Sequence, residues 1–93
     1  MVIDVDAVAD AVDSSPAVVR RSAGRAVEVA TYLPGHRVEG VRAGDGRIEV
    51  HVEVRYGSHL PSVAEEIRSV VAARTGTDAV DVVIADVEME GAT

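Results

Sequence analysis

Three histidines, and the carboxylates around one of them, have the best claim to chemistry in this chain. Glu49, His51 and Glu53 alternate, and an extended strand would place all three on one face. An imidazole between two carboxylates is the raw material of an acid/base device. With His36 and His59 added, the same residue types are those that hold zinc. Spacing argues against both chemistries. No His-x-His or His-x-x-x-His pair occurs, and His36 and His59 lie beside turn signals. Arg47 and Arg55 share the parity of the carboxylates, so the row reads as a solvated strand face of alternating charge. On such a face each cross-strand pair adds about 0.2–1 kcal/mol.

Other chemistries lack their parts. The absence of cysteine removes disulfides, thiolate metal sites and a cysteine nucleophile together. There is no lysine for a P-loop, no Gly-x-Gly-x-x-Gly and no Gly-x-Ser-x-Gly. The expectation is a non-enzyme with no catalytic, cofactor-binding or metal-binding residue, no cofactor and no small-molecule substrate.

The elements that would carry these residues follow from periodicity. Val5, Val8, Ala9 and Val12 recur at helical spacing opposite Asp6, Asp10 and Asp13, behind an Asp4 cap, and Ser14-Ser15-Pro16 ends that helix. Ala17 to Ser22 reads as a short strand and Ala23-Gly24 as a turn. Arg25 to Tyr32 follows as a second strand, with Val27, Val29 and Thr31 on one face. Beyond the Pro34-Gly35 turn, His36 to Arg42 forms a third strand weakened by Gly40. Gly44-Asp45-Gly46 turns the chain into the strongest strand, Arg47 to Tyr56, with Ile48, Val50, Val52, Val54 and Tyr56 on its apolar face. Tyr56 is thereby a candidate core residue as well as a candidate surface one.

Pro61 opens a second helix with the stripe Leu60, Val63, Ala64, Ile67, Val70 and Val71, and Gly76 closes it. Ala79 to Glu88 is a last strand, apolar on both faces, expected centrally or beneath a helix. The tail from 89 to 93 is expected to fray. The prediction is one α+β domain over residues 1–93, with helix, three or four mostly antiparallel strands, helix and final strand, both helices covering one sheet face.

A chain of 93 residues holds one core, and here it is built of Val and Ala with no Phe or Trp. Each buried valine contributes on the order of 1–3 kcal/mol at most, so partners or self-association are expected to add stability. No stretch approaches the roughly 18 apolar residues of a membrane span. The opening Met1-Val2-Ile3-Asp4 carries acid where a secretory signal carries Lys or Arg. A reducing cytoplasm and no direct membrane insertion are expected.

Net charge is −7, unevenly spread: residues 1–13 carry −4, residues 14–56 carry +2 with seven arginines, and residues 57–93 carry −5. The basic middle keeps one alternative in view, a small RNA-binding module using residues 20–55. Overall charge, the presence of only two aromatics for stacking and the lack of a Gly-x-x-Gly clamp weigh against nucleic acid.

Two stretches go further: Ala30-Thr31-Tyr32-Leu33-Pro34-Gly35-His36-Arg37-Val38-Glu39-Gly40-Val41-Arg42, and Val54-Arg55-Tyr56-Gly57-Ser58-His59-Leu60-Pro61-Ser62-Val63-Ala64. Together with Thr75-Gly76 and the segment Val80-Asp81-Val82-Val83-Ile84-Ala85-Asp86-Val87, they resemble the alkaline shock protein family of bacterial envelope stress response proteins. That resemblance implies a non-enzymatic cytoplasmic scaffold that self-associates. It also implies recruitment to the inner face of the membrane by a membrane-anchored protein of the same family. This chain departs from the commoner pattern in being short, acidic and free of lysine. No catalytic residue is implied. Arg47, His51, Arg55 and Tyr56 are the expected interface residues, since arginine and tyrosine are enriched where proteins meet.

Overall fold

The computed structural model describes residues 2–24 and 26–89. Asp4 caps the first helix, α1 (Val5–Asp13), by accepting a hydrogen bond from the Ala7 N–H at 3.1 Å. The predicted apolar stripe, Val5, Val8, Ala9 and Val12, is buried, joined by Ala11. Four short strands follow: β1 (Val18–Arg21), β2 (Ala30–Leu33), β3 (His36–Glu39) and β4 (Val41–Gly44). Asp45 and Gly46, both at positive φ, make the two-residue turn into β5 (Arg47–Arg55). The second helix, α2 (Leu60–Thr75), starts with Pro61 in its first turn and ends at Gly76, in the left-handed conformation that glycine adopts without a steric penalty. The last strand is β6 (Val80–Glu88).

β5 organises the sheet. Along one side it pairs with β6 in parallel over its full length, from Ile48 opposite Val80 to Arg55 opposite Glu88. The other side is shared end to end by two antiparallel partners, β4 against residues 47–50 and β1 against residues 52–54. β2 and β3 form a separate two-stranded hairpin. Ile48, Val50, Val52 and Val54 are fully buried on the face that both helices cover, against Val8 and Val12 of α1 and Ile67 and Val71 of α2. The hydroxyl of buried Ser15, just past α1, donates to Glu66 of α2 at 2.7 Å and ties the helix layer together. The α+β class, the element order and the two helices on one face are as the sequence predicts.

Several boundaries differ. The second strand is confined to Ala30–Leu33, and Val27 is exposed while Val29 is buried, so the two do not share a face. The cause lies in the loop before it, which Gly24 (φ +90°) bends and the Val29 N–H closes onto the Ala23 C=O at 2.7 Å. The third predicted strand is cut by Gly40 into β3 and β4. Tyr56 is not core but 68% exposed: β5 ends at Arg55, and a turn through Gly57 (φ +90°) breaks the parity that joined Tyr56 to Val54. Leu60, first in the α2 stripe, is also exposed. β6 lies beneath α2 but at an edge rather than centrally. Of the expected frayed tail, only Met89 falls within the described residues.

Candidate functional site

The sheet face away from the helices carries the row singled out in sequence, and register explains what each charge does there. Arg42 on β4 lies opposite Glu49 and bonds it at 3.3 Å. Arg20 on β1 lies opposite Glu53 and reaches both Glu53 (2.8 Å) and, across β5, Glu88 of β6 (2.6 Å). Those two carboxylates, Glu88 first, hold the Arg20 guanidinium above its ordinary pKa. Arg47 is clasped by both oxygens of Asp81 at 2.9 and 2.8 Å. The face is a lattice of cross-strand ion pairs spanning β1, β4, β5 and β6.

His51 sits in the middle of that lattice, its side chain only 16% exposed. Its Nε2 meets Glu49 Oε2 at 2.6 Å, and this hydrogen bond, ahead of the Arg42 charge, holds the Glu49 carboxyl below the usual carboxylate range despite partial burial. The main chain at His51 is equally committed. Its N–H donates to Gly40 C=O at 2.9 Å and its C=O accepts from Ser22 N–H at 2.8 Å, which is where β5 changes partner from β4 to β1. Glu53, the second carboxylate of the sequence row, is bonded to Arg20 instead.

The other two histidines are elsewhere. His36 on β3 faces Asp6 of α1 at 3.0 Å, and His59 at the start of α2 bonds the Ser62 hydroxyl at 2.7 Å. Among the described residues there is no cluster of three or more groups able to hold a metal. An open trough of about 470 Å³ is bounded by Arg20, Arg21, Arg37, Asp13 and Glu39. Its guanidinium groups are already engaged, Arg21 by Asp13 at 2.9 Å and Arg37 by Glu28 and Glu39.

The four expected interface residues are not brought together. Arg47 and Arg55 lie at opposite ends of β5, His51 is enclosed between them, and Tyr56 lies past the strand. Arg55 turns its Nε–H to the Pro16 C=O at 3.1 Å. The Tyr56 side chain is largely exposed, as is that of Arg47, and the Tyr56 N–H donates to Glu88 C=O at 2.8 Å. That places Tyr56 at the end of the sheet where β5 and β6 finish and α2 begins. Exposed Leu60, Val87 and Met89 belong to the same end.

Sequence reasoning missed the flank itself. β6 pairs with β5 alone among the described strands, and it presents exposed Val83 and Val87 beside partly buried Val82 and Ile84. The signal was present in the run Val82-Val83-Ile84, apolar on both faces, which a buried strand and an edge strand awaiting a partner share. On the opposite side of the sheet, side chains occupy main-chain acceptors: Thr31 Oγ1 donates to Val41 C=O at 2.6 Å and Arg21 to Glu39 C=O at 2.7 Å.

Compared with known proteins, the chain matches no family model, no curated protein and no solved structure. Among the described residues, no helix is long and apolar enough to cross a membrane.

Proposed function

We propose that this chain is a non-enzymatic protein-interaction module whose working mode is self-association, a scaffold of the kind that the resemblance to alkaline shock proteins implies. The observation that carries the reading is the β6 flank, a nine-residue strand rich in valine that has a sheet partner on one side only among the described residues. Such an edge is a template for another strand unless it is blunted. The ion-paired face supports the same reading. With Arg42, Arg20 and Arg47 each held by a carboxylate, it is a fixed, charge-compensated surface rather than a set of groups converging on a substrate.

RNA binding by residues 20–55 finds some support in the trough between Arg20, Arg21 and Arg37, but the carboxylates that bind those guanidinium groups also repel phosphate. Attachment to a membrane face through an anchored relative belongs to the proposal as its cellular consequence.

Light scattering over a series of protein and salt concentrations tests the self-association. The weight-average mass should climb from that of one chain toward two or more as protein concentration rises. A single-chain mass at every concentration and every salt would remove the proposal.

A further inference from the structure

Main-chain geometry on the outer side of β6 narrows where a partner can sit. The Ile48 N–H donates to the Ala79 C=O at 2.9 Å, and Ile48 to Val52 run in register with Val80 to Ile84. Because a parallel ladder uses alternate residues, Ala79, Asp81 and Val83 turn their N–H and C=O groups toward β5. Val80, Val82 and Ile84 therefore turn theirs outward. The start of this edge is closed: Val80 C=O accepts from Arg68 Nε–H at 3.2 Å and Val80 N–H donates to Asp78 C=O at 2.9 Å. The far end is closed too, since the ladder bulges at Ala85 and the Val87 N–H is taken by the Asp86 side chain at 2.8 Å. Between these two ends, the open groups on that side among the described residues are the N–H and C=O of Val82 and of Ile84.

We infer that two copies of this chain join edge to edge through β6, antiparallel, about a two-fold axis at Val83. This rests on the self-association proposed above and names its surface and register. The register follows from the open groups. With Val83 facing Val83 of the other copy, Val82 of each chain meets Ile84 of the other, and each such pair exchanges two hydrogen bonds, which uses every open group and no occupied one. Shifting the axis to Val82 would require Val80 C=O, already bonded by Arg68. Shifting it to Asp81 would set two carboxylates directly opposite.

Charge supports the antiparallel sense. It sets the Arg68 end of one β6 beside the Asp86 and Glu88 end of the other, whereas a parallel pair would put Arg68 beside Arg68. Val83, which is 39% exposed, would be covered by its own counterpart on the open face, while Val82 and Ile84 would add apolar contact on the helix face. The result is one continuous sheet through both copies, which closes on itself as a two-fold dimer.

The chain has no cysteine, so a single Val83→Cys introduces the only thiol. At a two-fold centre without direct hydrogen bonds, the two Cα atoms come within about 4.5 Å, inside the roughly 4.4–6.8 Å that a disulfide spans. Under mild oxidation V83C is expected to convert to a covalent dimer that reductant reverses, much faster than the control Val27→Cys, whose position is 67% exposed and lies outside any strand. Val83→Glu, which places like charges face to face, should raise the dimer dissociation constant at least about tenfold. An unmodified chain that self-associates while V83C cross-links no faster than V27C and V83E leaves the mass unchanged would overturn this interface and leave the broader proposal standing. An unmodified chain that is monomeric throughout would overturn both.

Discussion

Ile67→Ala is expected to cost about 2–5 kcal/mol of folding stability, read as a fall in the urea midpoint with little change in slope. Ile67 is fully buried on α2 and, with Ile48, is one of the two largest side chains enclosed in the core. The rest of that core is almost entirely valine and alanine, including Val8, Val12, Val50 and Val52, so no long neighbouring side chain is at hand to fill the space a truncation leaves. A domain of this length holds about 5–14 kcal/mol in total. A loss near the upper end of the expected range leaves a substantial fraction of the chain unfolded at ordinary temperature. A midpoint that moved by less than a typical surface substitution would mean that α2 packs more loosely on β5 than described.

Gly40→Ala should be at least as damaging, for a different reason. Gly40 has φ +78°, where a side chain costs about 1–2 kcal/mol. It is also hemmed in: a Cβ there would lie 2.7 Å from the Arg21 Cβ and 3.0 Å from the His51 C=O oxygen. Relief would require β1 to move away from β4 at the point where both hand over along β5, breaking the bonds that His51 makes to Gly40 and Ser22. Gly35→Ala supplies the comparison, because Gly35 has a similar φ of +85° with nothing within 4 Å of its would-be Cβ. Thermal unfolding of the two variants should show G40A well below G35A, and equal midpoints would show that the close approach at Gly40 carries no energetic weight.

The sequence made the fold legible wherever one chain segment contained its own signal. α1 had its Asp4 cap and four apolar residues in step, β5 had strict alternation from Ile48 to Val54, and α2 had Pro61 and Gly76 at its ends. What failed depended on partners distant in sequence. The alternation of Val27, Val29 and Thr31 predicted a strand, yet Val29 is drawn inward by its bond to Ala23 while Val27 swings out. Tyr56 kept the parity of its neighbours after the strand had stopped, since parity has no term for the turn at Gly57.

The candidate site divides the same way. Alternating charge along Arg47 to Arg55 correctly suggested a face of ion pairs, but the assignments of Arg42 to Glu49, Arg20 to Glu53 and Arg47 to Asp81 needed the register of three other strands. For β6, composition could not separate an enclosed strand from an edge. Only the capped ends, at Val80 and Val87, reveal how short the open stretch is.

Amide hydrogen exchange in the unmodified chain, resolved at Val82 and Ile84 and followed from low to high protein concentration, bears most directly on the idea that β6 is the contact surface. Protection at these two amides is expected to rise with concentration, while the inward-facing amide of Val83, bonded within the sheet, stays protected throughout. Rapid exchange at Val82 and Ile84 that does not change with concentration would contradict it.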